Sequence, residues 1–125
     1  MALFSLNIIQ PFVTVTIGSG NVHYIDLDKS GNNYKITPTN ATNRIVFNNL
    51  DATRIGKAGT IMITNPASVN SLGWAELPAS AYTPGGGTIS FDTTANKIAV
   101  LTYLVVASDK VLVNYVGDFG SYPQP

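Results

Sequence analysis

The sequence predicts an all-β protein, an antiparallel, jelly-roll-like β-sandwich of about 8–9 strands with little or no helix. Three observations carry that prediction. Apolar residues recur with period two rather than 3.6, as in Val13, Val15 and Ile17 alternating with Phe12, Thr14 and Thr16. Asn, Thr, Gly and Pro abound, whereas long stretches of Ala, Leu, Glu, Lys and Gln are missing. Turn residues punctuate the alternating segments at Gly18-Ser19-Gly20-Asn21, Ser30-Gly31-Asn32-Asn33 and Ala107-Ser108-Asp109.

Taken along the chain, the strand candidates are Phe4–Ile9, Phe12–Ile17, Val22–Leu27, Tyr34–Thr37, Arg44–Asn49, Thr60–Thr64, Thr88–Phe91, Lys97–Val106 and Lys110–Val116. Most are rich in β-branched or aromatic residues, and the short turns between them predict antiparallel neighbours. Residues 65–87 break the pattern. Pro66, Pro78, Pro84 and the glycines at 73, 85, 86 and 87 predict a long loop anchored by Leu72, Trp74 and Leu77. Such a loop is either a contact surface or a wandering connection with Trp74 plugged into the core. Lys97–Val106 is unusual in a second way, because both of its faces are apolar. A strand of an antiparallel sheet normally has one wet face, so the second face must be covered by the long loop or by another copy of the chain.

At 125 residues the chain is one domain, residues 1–125, with an extended N-terminal segment at 1–11, the loop at 65–87 and a C-terminal arm at 117–125. Seven basic and seven acidic side chains give zero net charge. No basic field is available to hold a phosphate backbone, so nucleic acid is not an expected partner. Charged residues make up only 11% of the chain, against about a quarter in an average soluble domain. A monomer of this size exposes roughly 6,500 Å², so its charges are spread thinly and resist association poorly. That is the surface of a subunit. The apolar stretch Ile98–Ala107 is too short for a membrane helix of about 20 residues. Met1–Phe12 lacks a basic leader, so synthesis in the cytoplasm is the expectation.

The chemical inventory argues against an enzyme: one His, one Glu, six Asp and no Cys. His23 shares a strand face with Ile25 and Leu27 and reads as a hydrogen-bonded core or interface residue. A glycosidase pair could in principle be drawn from Glu76 and Asp92, but nothing in the sequence sets their separation. Asp26, Asp28, Ser30 and Gly31 match the first half of a calcium loop, but Thr37 stands where the motif needs a bidentate Glu. A capped turn is the simpler reading. Pro84-Gly85-Gly86-Gly87-Thr88 is glycine-rich without the Lys and helix of a phosphate loop. Asn40-Ala41-Thr42 is a glycosylation sequon that matters only in a secreted eukaryotic protein. No cofactor or metal is implied.

From Tyr34 onward the order of elements resembles the small β-sandwich domains of tailed-bacteriophage structural proteins, both head decoration or cement proteins and tail fibres. The residues that carry it are NNYKIT with Tyr34 and Ile36, RIVFNNL with Val46, Phe47 and Leu50, and GKAGTIMITN with Gly56, Gly59, Ile61 and Ile63. Trp74 and then TTANKIAVLTYLVVASDKVLVNY, with Asn96, Ile98, Leu101 and Tyr103, complete the pattern. The resemblance implies a virion component on the capsid surface, a homo-oligomer that is a trimer, and major capsid protein subunits as partners. It implies no catalytic residue. Tail fibres are long chains, so this chain fits a decoration or cement protein better, with a tail-fibre or carbohydrate-recognising receptor-binding module as the alternative. The residues expected at an oligomer or partner interface are Leu101, Tyr103, Val105, Trp74, Tyr82, Phe119 and Tyr122.

Overall fold

A computed structural model describes residues 11–123. Ten strands form two sheets: β1 (Val13–Thr14), β2 (Thr16–Gly18), β3 (Val22–Asp26), β4 (Asn33–Ile36), β5 (Thr42–Asn48), β6 (Ala58–Thr64), β7 (Gly73–Trp74), β8 (Ala81–Tyr82), β9 (Ile98–Ala107) and β10 (Lys110–Phe119). Two short 3-10 turns, Ala52–Arg54 and Pro84–Gly86, are the helical elements among the described residues. The all-β expectation therefore holds. The strand expected at Phe4–Ile9 lies outside the described residues.

One sheet has six strands in the order β1-β4-β6-β9-β10-β8, and the other has four in the order β2-β3-β5-β7. The expectation of antiparallel neighbours throughout is corrected. β2 with β3, β6 with β9 and β9 with β10 are antiparallel, but β1/β4, β4/β6, β3/β5, β5/β7 and β8/β10 are parallel. The physical reason is the route of the chain. β3 lies in the four-stranded sheet, β4 in the six-stranded one, β5 back in the first and β6 back in the second. The turn chemistry at Ser30-Gly31-Asn32 thus serves a crossing between sheets instead of a hairpin, and each return passage arrives in the same direction as the strand it joins.

Where hairpins were expected and the chain does stay in one sheet, the local signals hold. Gly20 (φ 75°) and Asn21 (φ 59°) both adopt the left-handed conformation that turns β2 into β3. Ser108 and Asp109 close β9 onto β10, with a register shift just after the turn. Thr88–Phe91 is not a strand. Ile89 and Phe91 instead reach the core as partly buried side chains from a loop, so hydrophobic anchoring replaces a ladder there. Conversely, the segment expected to be loop, 65–87, contributes β7 and β8, two-residue strands paired to β5 and β10. Strand β10 continues to Phe119, so the expected arm at 117–125 is partly strand, and its last two residues lie outside the described chain.

A single cluster of buried side chains draws on both sheets: Ile25, Ile45 and Phe47 from the four-stranded one, Tyr34, Ile36, Ile61, Ile63, Leu101, Tyr103, Val105, Val111 and Val113 from the six-stranded one. The rings of Phe47 and Tyr103 meet across it at 6.5 Å. The β3–β4 crossing is pinned at several points. Tyr103 donates its hydroxyl to the Asn32 carbonyl at 2.8 Å, Tyr34 does the same to the Asp26 carbonyl at 2.8 Å, and the Asn32 carbonyl comes so close to Gly59 that a Cβ there would sit 1.9 Å away. Only glycine fits that approach.

The calcium-like string belongs to this corner and is a capped turn. Asp26 accepts from the Asp28 amide at 3.0 Å and from the Asn49 side chain at 2.6 Å, and Asp28 pairs with Arg54. The Lys57 ammonium donates to the Lys29 and Gly31 carbonyls, both at 2.8 Å, and lies 5.8 Å from the Tyr34 ring centre. The backbone oxygens of the turn are therefore already engaged by a cation of the chain itself.

Candidate interaction surface

Three of the expected interface residues are interior. Leu101, Tyr103 and Val105 point into the core and are 0–3% exposed, so their assignment to an oligomer face is corrected. The outward face of the same strand carries Val100, Thr102, Leu104 and Val106. Both faces of β9 are apolar, as the sequence implied, but the one lined by Leu101 is covered by the other sheet.

The outward face extends in register across neighbouring strands. Ala58, Leu104, Leu112 and Tyr82 form one row, Thr60, Thr102 and Asn114 the next, and Met62, Val100 and Val116 a third. Phe119 pairs with Ile98 beyond them, because a register shift after Val116 returns it to the outward side. Tyr82, Leu104, Val106, Leu112, Val116 and Phe119 are exposed at 38–51%, which marks one continuous surface instead of scattered apolar residues. A depression of about 370 Å³ opens in it between Tyr82, Pro84, Leu104, Leu112, Thr102 and Asn114. Cations stand at its margins: Lys35 on β4 beside Met62, Lys110, whose ammonium lies 5.8 Å from the Tyr82 ring centre, and Lys97, whose ammonium lies against Gly120 beside Phe119.

Tyr82 and Phe119, both expected at an interface, belong to this surface. Tyr122 is 80% exposed beyond the end of β10. Trp74 does not belong to it. Its ring packs between His23 (5.7 Å) and Phe91 (4.8 Å) against the core, and its indole nitrogen is buried. Leu104 and Val106 were legible as one apolar face of a strand, but Leu112 and Val116 were missed. The signal that would have found them is polar punctuation: Thr102 and Asn114 interrupt only the outward rows, while the inward rows of β9 and β10 are unbroken.

Inside the molecule, His23 and Asn43 form a buried polar pair. His23 Nε2 lies 2.8 Å from Asn43 Oδ1, and the Asn43 amide nitrogen donates to the carbonyls of Thr39, Ala41 and Gly73 at 3.0–3.1 Å. Since Oδ1 can only accept, Nε2 carries the proton, and Nδ1 is left as a buried acceptor without a hydrogen-bond partner among the described residues. Burial holds the His23 imidazole below its ordinary value of 6.5, with the Asn43 bond pulling the other way. An unfolded chain then takes up a proton on this residue at a pH where the folded one does not, so stability is complete above about pH 6.5 and falls as pH drops below it. The carboxylates of Asp26, Asp51 and Asp92, held low by hydrogen bonds, lose their contribution only in more acidic solution, below their ordinary 3.8. The melting temperature should be level from pH 8 to 7 and decline between pH 6.5 and 5, and His23→Gln should flatten that decline. An unchanged slope in the variant would assign the acid sensitivity elsewhere.

Among the described residues, no group of three or more His, Asp or Glu side chains is arranged to hold a metal ion, and no helix is long and apolar enough to cross a membrane. No protein-family model, curated protein or solved structure matches the chain.

Proposed function

We propose that this protein acts by binding and not by turnover, as a structural component of an assembly, and that the assembly is a bacteriophage head on which it serves as a decoration or cement protein. The observation that carries the reading is the apolar surface on β8, β9 and β10, with lysines at its margins, left uncovered by the described residues. A surface of that kind exposes apolar side chains to water until something covers them. We also read the two sheets as the layers of a sandwich, because the core cluster takes its side chains from both. In this role copies of the chain associate with one another and with major capsid protein subunits. The loop around β7 and β8 and the residues after β10 reach toward seams in the shell, and many weak contacts add through multivalency.

The position of Trp74 favours this reading over carbohydrate recognition, since a sugar platform needs a freely accessible ring and this one is partly buried between Phe91 and His23. Co-sedimentation tests both. The purified protein should pellet with assembled heads, leave isolated coat subunits in the supernatant unbound, and raise the temperature at which heads open. Binding to bacterial surface polysaccharide with no retention on heads would replace this reading with that of a receptor-binding module.

A further inference from the structure

The outward face of the six-stranded sheet has a pattern that matches itself. A polar row, Thr102 with Asn114, is flanked on one side by Leu104 with Leu112 and on the other by Val100 with Val116. A two-fold axis lying in the plane of contact, across the strands and through the polar row, sets each copy's larger Leu row on the other's smaller Val row. The same axis sets Thr102 and Asn114 against their own counterparts, where hydroxyl and amide groups can exchange hydrogen bonds. We propose that the occupant of this face is a second copy of the same chain, packed sheet on sheet in a two-fold dimer. This rests on the reading of the protein as an assembly component and specifies what covers its apolar face.

Charge and area support the choice of a self-contact. On β6, β9 and β10 the three rows carry no charged side chain, so a copy placed on a copy brings no like charges together at its centre. Lys35, in line with Met62 and Val100, is carried by the axis to the Leu104 row and so does not meet its own counterpart. The six most exposed apolar residues of the face present roughly 500 Å², and the adjoining Thr, Asn, Met and Val side chains bring this to about the 800 Å² per partner typical of a stable interface. Twisted sheets packed in this way keep their strands within about 30° of alignment, which preserves the row-on-row match. A threefold arrangement, which the phage resemblance implies, cannot place this face on itself, because a face meeting its own copy is a two-fold contact.

Sedimentation equilibrium and cross-linking test the dimer. Wild-type protein at micromolar concentration should have twice the mass of the chain. Leu104→Arg should weaken association by about 100-fold or more, because it places an unpaired charge in the contact. The chain contains no cysteine, so a single introduced thiol gives an unambiguous second readout. Thr102→Cys, next to the axis, should be joined to its counterpart by a short bismaleimide, whereas Ser19→Cys, in the exposed β2–β3 turn, should not. Because Thr102 is exposed and the cross-link needs no loss of folding, this arm stands even where the Arg variant misfolds. A monomer or a trimer in sedimentation, or equal cross-linking at both positions, would overturn the proposal. The two readings fail separately: dimers that ignore phage heads would overturn the decoration role alone, and head-bound monomers would overturn the dimer alone.

Discussion

Leu101→Arg should prevent folding, while Leu104→Arg, three residues along the same strand, should leave the fold intact. Leu101 is fully buried and pairs with Ile61 and Tyr115 in the middle of the six-stranded sheet. A guanidinium there has no carboxylate within the core cluster to pair with, and an isolated buried charge costs several kcal/mol, a large part of the 5–15 kcal/mol that holds a typical domain together. Truncation should also be costly: Leu101→Ala is expected to lose about 2–5 kcal/mol through lost burial and the cavity left behind. Leu104 is 39% exposed, so its Arg can extend into water once the chain stands alone. Urea denaturation with circular dichroism separates the two. Equal tolerance at both positions would mean that the inward and outward faces of β9 have been exchanged.

Asn43→Ala is the second large effect expected. Asn43 is completely buried and its side chain joins four segments. Oδ1 accepts from His23 Nε2 and from the amide and hydroxyl of Thr39, while Nδ2 donates to the carbonyls of Thr39, Ala41 and Gly73. The alanine variant removes at once the partner of a buried imidazole N–H, of the Thr39 N–H and of the Thr39 carbonyl, while the Ala41 carbonyl keeps the Gly73 amide at 2.9 Å, and a single stranded group costs about 1–3 kcal/mol. The Thr39 hydroxyl, whose one proton is shared between Asn43 Oδ1 at 3.2 Å and Asn21 Oδ1 at 3.0 Å, keeps the second of these partners. The expected net loss is therefore about 3–5 kcal/mol, less than the sum of the parts. The damage should be visible locally before it is global. β7 is tied to this site through the Gly73 carbonyl and through the Ala75 amide, which donates to the Asn43 carbonyl at 2.8 Å, and Trp74 between them is the single tryptophan of the chain. Its fluorescence should shift to the red in Asn43→Ala under conditions where the strands still form. A variant as stable as the parent, with unshifted emission, would show that Asn43 does not organise this corner.

Both residues illustrate what period-two reading delivers. Alternation placed His23 on the side of Ile25 and Leu27, and all three are buried. The same alternation sets Asn43 on the side of Ile45 and Phe47, also buried. That the two polar residues satisfy each other was not legible, because they are 20 positions apart and meet only through the parallel pairing of β3 with β5. On β9 alternation separated the two faces correctly but gave no reason to choose between them. The interface was assigned to Leu101, Tyr103 and Val105 when those residues are the core.

What the sequence determined by itself is local: strand character from β-branched alternation, the left-handed turn at Gly20 and Asn21, the β9–β10 hairpin, and a chain with too few charges to cover its surface. What the tertiary structure decided is which strands are neighbours, which face of β9 is dry, and where the buried polar groups find partners. The physical reason is that a turn specifies a change of direction within a few residues, whereas sheet membership depends on which apolar faces meet. Leu101 and Leu104 offer similar apolar surface, and only the arrival of Phe47, Ile25 and Ile45 from the other sheet makes one of them interior and leaves the other for a partner.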